Sequence, residues 1–249
     1  MDIFRYGLWH QVAVAAVVGW LVLGLAALLD LSFGPVIVAT AIVFALSSLV
    51  IDLLLTPARV FRDFRRGRFA ASARGTRFLL RLTFRPSKKA ALKLNQAACE
   101  LARGDYETGG ALLKEVDRDA LSPELRTVWD NDYAYFLLGI GEDPLEALRI
   151  CDQAMANQGN NPAFHGTRGL ALLSLGRLDD AIAELCRSME VGSLGSAGLA
   201  ETYYYLGRAW EKKGENAYAR DHFLKAINVA PSSPYGKRAA EELSRYLSL

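Results

Sequence analysis

The chain is 249 residues long with a formal net charge of +2, and 51% of it is hydrophobic, above the usual range for a soluble domain. That length holds one full-sized domain and an appendage. Cys99, Cys151 and Cys186 are odd in number, far apart and without a CxxC pair, and His10, His165 and His222 are as scattered. This excludes a disulfide framework or a metal site as the organising feature, and the cysteines read as small core residues in a reducing compartment.

The apolar excess lies at the N-terminus. No charged residue falls between Val12 and Leu29, or between Pro35 and Ile51. The first run has 18 residues and covers roughly 27 Å as a helix, close to the ~30 Å of bilayer hydrocarbon. The second, Pro35 to Leu55, has 21 residues with Asp52 near its end. Between them Asp30-Leu31-Ser32-Phe33-Gly34 is long enough only to reverse direction, with Gly34 suited to a left-handed turn and Pro35 to a first helical turn. A helical hairpin across the membrane is expected over residues 1–56. A cleaved signal peptide fits less well, because Arg5 alone precedes the run and a second span follows at once. A buried core hairpin is opposed by the length of the uncharged runs and by Tyr6 and Trp9 at an interfacial position. Ala15 and Gly19, with Ala41 and Ala45, give small faces for close helix approach.

Residues 57–89 form a basic collar. Between 56 and 89 eleven Lys and Arg stand against Asp63 alone, a local charge of +10, whereas residues 90–249 carry −6. Lysines and arginines near a span stay on the cytoplasmic side, so both termini are expected in the cytosol. The collar interleaves its arginines with Phe61, Phe64, Phe69, Phe78 and Phe84. Arg59, Arg62, Arg65, Arg66 and Arg68 are expected on lipid headgroups, each contributing about 1 kcal/mol, in preference to nucleic acid. Asp52 is read as an acid neutralised near this interface, the transport role open to an intramembrane acid being the alternative.

From residue 90 onward the chain repeats. Starting at Ala200, Tyr203, Leu206, Gly207 and Trp210 are followed by Gly214, Ala219, Phe223, Ala226 and Pro231, at the diagnostic places of a 34-residue helix-turn-helix unit. Small residues stand where two helices cross and large ones fill the centre of the pair. The register recurs from Pro162 (Gly169, Leu172, Gly176, Ala181, Leu185, Ser188), from Val128 (Leu138, Ala147, Cys151, Ala154) and, more diverged, from Ala90 (Ala97, Gly104-Asp105-Tyr106, Leu113, Val116), where Gly109 replaces the expected Ala. Tyr235 to Leu249 reads as a polar-faced helix closing the array.

These residues resemble the tetratricopeptide-repeat (TPR) signature over 90–249. The resemblance implies a TPR α-solenoid of about four helix pairs plus a C-terminal capping helix, so that with the transmembrane hairpin expected over 1–56 the whole fold is all-α. It also implies a groove lined by the first helix of each repeat. In this numbering the groove positions are Trp129, Asp132 and Phe136, then Ala163, Gly166, Leu170 and Leu173 as a smooth floor, then Tyr204, Arg208 and Lys212. Trp129 and Phe136 are alternatively packing residues. Changing Tyr204 and Arg208 to alanine is expected to weaken partner capture while leaving thermal stability nearly intact. The chaperone-type Lys and Asn pattern for a C-terminal carboxylate is not reproduced. The layout of two spans, an arginine-rich stretch and Leu101-Ala102-Arg103-Gly104-Asp105-Tyr106 also resembles bacterial HemY-type inner-membrane proteins, which implies an accessory role in haem biosynthesis; the short outer loop and smaller repeat count depart from that pattern.

No GxxxxGK[ST], HExxH or GxSxG is present, and pairs such as Asp179-Asp180 and Glu241-Glu242 read as solvated charge. The expectation is a membrane-anchored, non-enzymatic scaffold without cofactor, whose partners are other proteins and membrane lipids, not nucleic acid. A haem-pathway accessory and a transport-complex subunit are the alternatives.

Overall fold

A computed structural model describes residues 55–158, 161–192 and 194–247, together with Val17, Trp20, Leu21, Gly24, Val38, Ala41 and Ile42. These seven positions are helical, and Val17, Trp20, Leu21, Val38 and Ile42 are each more than half exposed. They fall in one unit, Met1–Pro57, and the remainder forms a second, Ala58–Leu249. Among the described residues no helix is long and apolar enough to cross a membrane. The two expected spans, with Asp30 and Asp52, lie almost wholly outside the described residues.

The second unit opens with a helical stretch, α1 (58–65), and continues through α2 (Phe69–Leu82), α3 (Pro86–Arg103), α4 (Tyr106–Lys114), a 3-10 turn (Arg118–Ala120), α5 (Pro123–Gly139), α6 (Pro144–Gln158), α7 (Pro162–Ser174), α8 (Leu178–Glu190), α9 (Ser196–Lys212), α10 (Asn216–Val229) and α11 (Pro234–Leu247). There is no strand among the described residues. The pairs α3–α4, α5–α6, α7–α8 and α9–α10 are antiparallel hairpins, and α11 closes the array, as the repeat register requires.

One local device builds all four hairpins. Each first helix ends at a glycine in the left-handed region: Gly104 (φ 84°), Gly141 (φ 75°), Gly176 (φ 74°) and Gly214 (φ 82°). The next residue's N–H reaches back to a carbonyl five residues earlier, as in Asp105 to Glu100, Glu142 to Leu137, Arg177 to Leu172 and Glu215 to Trp210. This satisfies a carbonyl that the helix end would otherwise leave unpaired. In the second hairpin Asp143 also takes a positive φ of 30°, and its carboxylate accepts the Glu146 N–H at 3.0 Å, starting α6.

Packing follows the register. Phe223 is fully buried, and a Cβ on Gly207 would come within 2.5 Å of its ring. Gly109 answers the same need in the first hairpin, because a Cβ there would meet Leu101 Cδ2 at 2.6 Å. Its departure from the expected Ala is thus matched by a larger neighbour. Cys99 and Cys151 are buried and all three cysteines are free; burial pushes the Cys99 thiol up to about 11 and Cys151 up to about 12. The α7–α8 hairpin carries a buried polar pair, with His165 Nδ1 2.7 Å from Glu184 Oε2, and Arg168 reaches the other Glu184 oxygen at 3.0 Å.

The basic collar is helical and belongs to the second unit. Phe69, Ser72, Ala73 and Thr76 of α2 are buried, Phe69 and Ala73 clustering with Cys99 of α3 and Ala197 of α9. Thr76 Oγ1 donates to Asn95 Oδ1 at 2.8 Å. The α1–α2 turn therefore bridges the first repeat to the fourth. A Cβ on Gly195 would strike the Arg65 carbonyl oxygen at 2.3 Å, and Ser196 Oγ donates to that same oxygen at 3.5 Å.

Candidate functional site

The first helices of the four repeats surround a cavity of about 220 Å³. Helix α3 contributes Ala98, Leu101 and Ala102; α5 contributes Asn131, Asp132 and Tyr135; α7 contributes Ala163, Gly166, Thr167 and Leu170. Helix α9 adds Ala197, Gly198, Glu201 and Thr202, the start of α11 adds Tyr235, and Phe64, Arg65 and Phe69 of the α1–α2 region line the remaining side. The walls are largely apolar, and the polar groups are concentrated on α5 and α9.

The α9 side is a hydrogen-bonded cluster. Tyr135 Oη donates to Glu201 Oε1 at 2.7 Å and is hydrogen-bonded to the Tyr235 hydroxyl. Tyr205 and Tyr235 hydroxyls lie 3.3 Å apart, and the Arg238 guanidinium stands 5.1 Å over the Tyr235 ring. Burial raises the Glu201 carboxyl, opposed by the Tyr135 and Tyr235 hydroxyls and by Arg238. The α5 side is less well satisfied. Burial pushes Asp132 up to about 7, offset only by the Asn131 amide, and both Asp132 Oδ2 and Asn131 Oδ1 are buried with no hydrogen-bond partner. Among the described residues no group of three His, Cys, Asp or Glu side chains is placed to hold a metal ion.

The expected groove residues separate into two sets. Asp132 lines the cavity, as do Ala163, Gly166 and Leu170 of the smooth floor. Trp129 instead donates its Nε1–H to the Leu113 carbonyl at 3.1 Å and stacks on Tyr133 at 5.3 Å, while Phe136 packs against Gly110 of α4. These two follow the packing alternative. Tyr204 is 7% exposed within the α9–α10–α11 core, and Arg208 pairs with Glu242 of α11 at 3.3 Å. Lys212 reaches the Leu173 carbonyl at 3.5 Å. For Tyr204 and Arg208 the physical reason is α11, which packs over the inner face of the last repeat. The expectation that Tyr204→Ala spares thermal stability is corrected accordingly, because that change empties a core position.

Glu201, Tyr135 and Tyr235 are the site residues the sequence reading missed. Glu201 occupies position 2 of the copy beginning at Ala200, one of the inner-face positions of the repeat, so the register itself carried the signal. Tyr235 carried none, since its place depends on how the cap folds back. Of the expected lipid contacts, Arg66 and Arg68 are exposed and Arg59, Arg62 and Arg65 are half-buried. Arg68 pairs with Asp63, Arg62 Nε is buried without a partner, and Arg65 lies 5.7 Å over the Phe61 ring. Arg74, Arg77 and Arg81 on α2 are exposed beside exposed Phe78 and Leu82, in the remainder of the collar.

No family profile and no curated protein matches the sequence. Among solved structures, PlcR of Bacillus thuringiensis, crystallised with the peptide PapR7 and DNA, superposes with a TM-score of 0.56 over 91% of this chain and 82% of that one, at 17% identity. The chain has a TPR-like helical-repeat fold. YrrB, described as a TPR protein with an unusual peptide-binding site, gives a TM-score of 0.40 over 76% of this chain and 87% of that one. MamA from Desulfovibrio magneticus RS-1 gives 0.41 over 72% and 94%. Both are 17% identical to this chain. At these identities the PlcR superposition speaks to the TPR-like fold alone, and the two lower scores add nothing to it.

Proposed function

We propose that the protein is a membrane-anchored scaffold that holds a segment of another protein in the chamber formed by the first helices of its TPR-like repeats. The observation that carries the reading is the chamber itself, a cavity ringed by all four repeats and built of apolar walls with a few buried polar groups, the usual make-up of a binding site. Anchoring is supported by the uncharged runs at 12–29 and 35–51 and by Val17, Trp20, Leu21, Val38 and Ile42, helical and exposed within them. The exposed arginines and phenylalanines of α1 and α2 supply a surface suited to anionic headgroups. The haem-pathway and transport readings rest on the chain's layout and on Asp52 alone.

Gly166 gives a clean test, because it lines the chamber and a Cβ there would meet nothing within 4 Å. Gly166→Phe is expected to fill the chamber, leave the helical content and Tm unchanged, and remove proteins that co-purify with the wild-type chain from membranes. Unchanged co-purification of every partner overturns the reading. For the anchor, a C-terminal alkaline phosphatase fusion is expected to be inactive and a fluorescent-protein fusion bright. Phosphatase activity would place the repeats on the other side.

A further inference from the structure

The α5 side of the chamber gathers acceptors that no donor satisfies, while Arg65 stands among the residues lining the α1–α2 side. Asp132 Oδ2 and Asn131 Oδ1 are both hydrogen-bond acceptors, both buried and both without a donor. The Asn131 amide group is turned to Asp132, which leaves its oxygen as the free end. A second carboxylate, Glu201, lines the same cavity. The neighbouring helix α7 contributes Ala163, Gly166 and Leu170, which with Leu185 of α8 form an uncharged stretch of the lining. Unpaired acceptors on α5 beside that apolar stretch of α7 call for an occupant that brings donors and positive charge on an aliphatic stem. A volume of about 220 Å³ is below the ~300–1,000 Å³ typical of sites for a whole drug-sized ligand and suits a single side chain.

We propose that the chamber takes one basic side chain, a lysine or an arginine, presented by a segment of a partner protein, with its charged head on Asp132 and Asn131 and its stem along the α7 wall. This rests on the reading of the chamber as the partner-holding surface. The charge of −6 over residues 90–249 favours a basic segment over an acidic one. A cation against Asp132 would also reverse the effect of burial on that carboxyl, which now stands at about 7.

The test uses the full-length chain in detergent micelles and two blocked pentapeptides, acetyl-Ala-Ala-Lys-Ala-Ala-amide and its norleucine counterpart, with n-butylammonium as a free amine. Titration followed by saturation-transfer NMR is expected to show the lysine peptide bound at least tenfold more tightly than the norleucine peptide. Asp132→Asn, which keeps size and removes charge, is expected to erase that preference without lowering Tm; Glu201→Gln is expected to reduce it. Equal affinity for the two peptides, no binding of the lysine peptide, or a preference surviving in Asp132→Asn overturns the proposal. Butylammonium bound as tightly as the lysine peptide overturns it in favour of a small amine. Gly166→Phe separates the two levels of failure. If it abolishes partner capture while the peptides bind alike, only the basic-side-chain inference falls. If capture survives it, the partner-holding chamber falls first.

Discussion

Asp132 carries a cost that depends on pH. Its carboxyl stands near 7 in the folded chain, against an ordinary 3.8, and the cause is burial with only the Asn131 amide to offset it. Between those two values the folded state holds a proton that the unfolded state has released, so stability falls as pH rises from about 4 to about 7 and is level above that. Asp132→Asn removes the titrating group and the slope with it. Urea denaturation at about pH 5 and about pH 8 is expected to show wild type losing on the order of 2 kcal/mol relative to the variant. Parallel curves for the two proteins would show that Asp132 is ionised and solvated in the folded chain.

At the scale of the element, the helix crossing in the fourth hairpin is set by one absent atom. Gly207 lets α9 lie against the Phe223 ring, and a Cβ there would approach to 2.5 Å. Gly207→Ala gains helix propensity but overpacks a fully buried site, and the second effect is larger: a loss of about 1–3 kcal/mol is expected in denaturant melts. An unchanged or raised stability would mean that the hairpin opens without penalty. Features of this kind were legible in the sequence because they are internal to one repeat. Gly104, Gly176 and Gly214, the crossing glycines Gly169 and Gly207, and the filling residues Leu185 and Phe223 recur at fixed spacing, and each helix pair meets its own demands. What the sequence did not disclose depends on contacts between distant elements. Tyr204 and Arg208 occupy inner-face positions yet are covered by α11, and no period within the repeat announces that. The collar's charge density marked it as a surface segment. The residues that bury it, Phe69, Ser72, Ala73 and Thr76, are spaced as one helical face, but small and polar members made that face inconspicuous.

For the whole repeat unit, the α1–α2 segment is a structural member. An array that begins near Lys88 would fold by itself if each repeat met only its neighbours. The buried face of α2 adds a term to that account. A chain beginning at Ala58 is expected to be more stable than one beginning at Lys88 by roughly 3 kcal/mol, from the loss of one buried Phe and the uncovering of its neighbours. Both should be helical by circular dichroism, and equal denaturation midpoints would show that α2 contributes nothing. The bridge has a further effect in time. Arg65 and Ser196, which share a hydrogen bond, are 131 residues apart in the chain. At about 5–20 residues per second the ribosome delivers the second roughly 7–26 seconds after the first. Through that interval the arginine-rich segment has only α3 to pack on, through Asn95 and Cys99, and the side that meets Gly195, Ser196 and Ala197 is exposed to whatever lies near the nascent chain. The last repeat to be synthesised is therefore the one that completes the cover of the α1–α2 turn, and a stalled or truncated product leaves that side of the turn available.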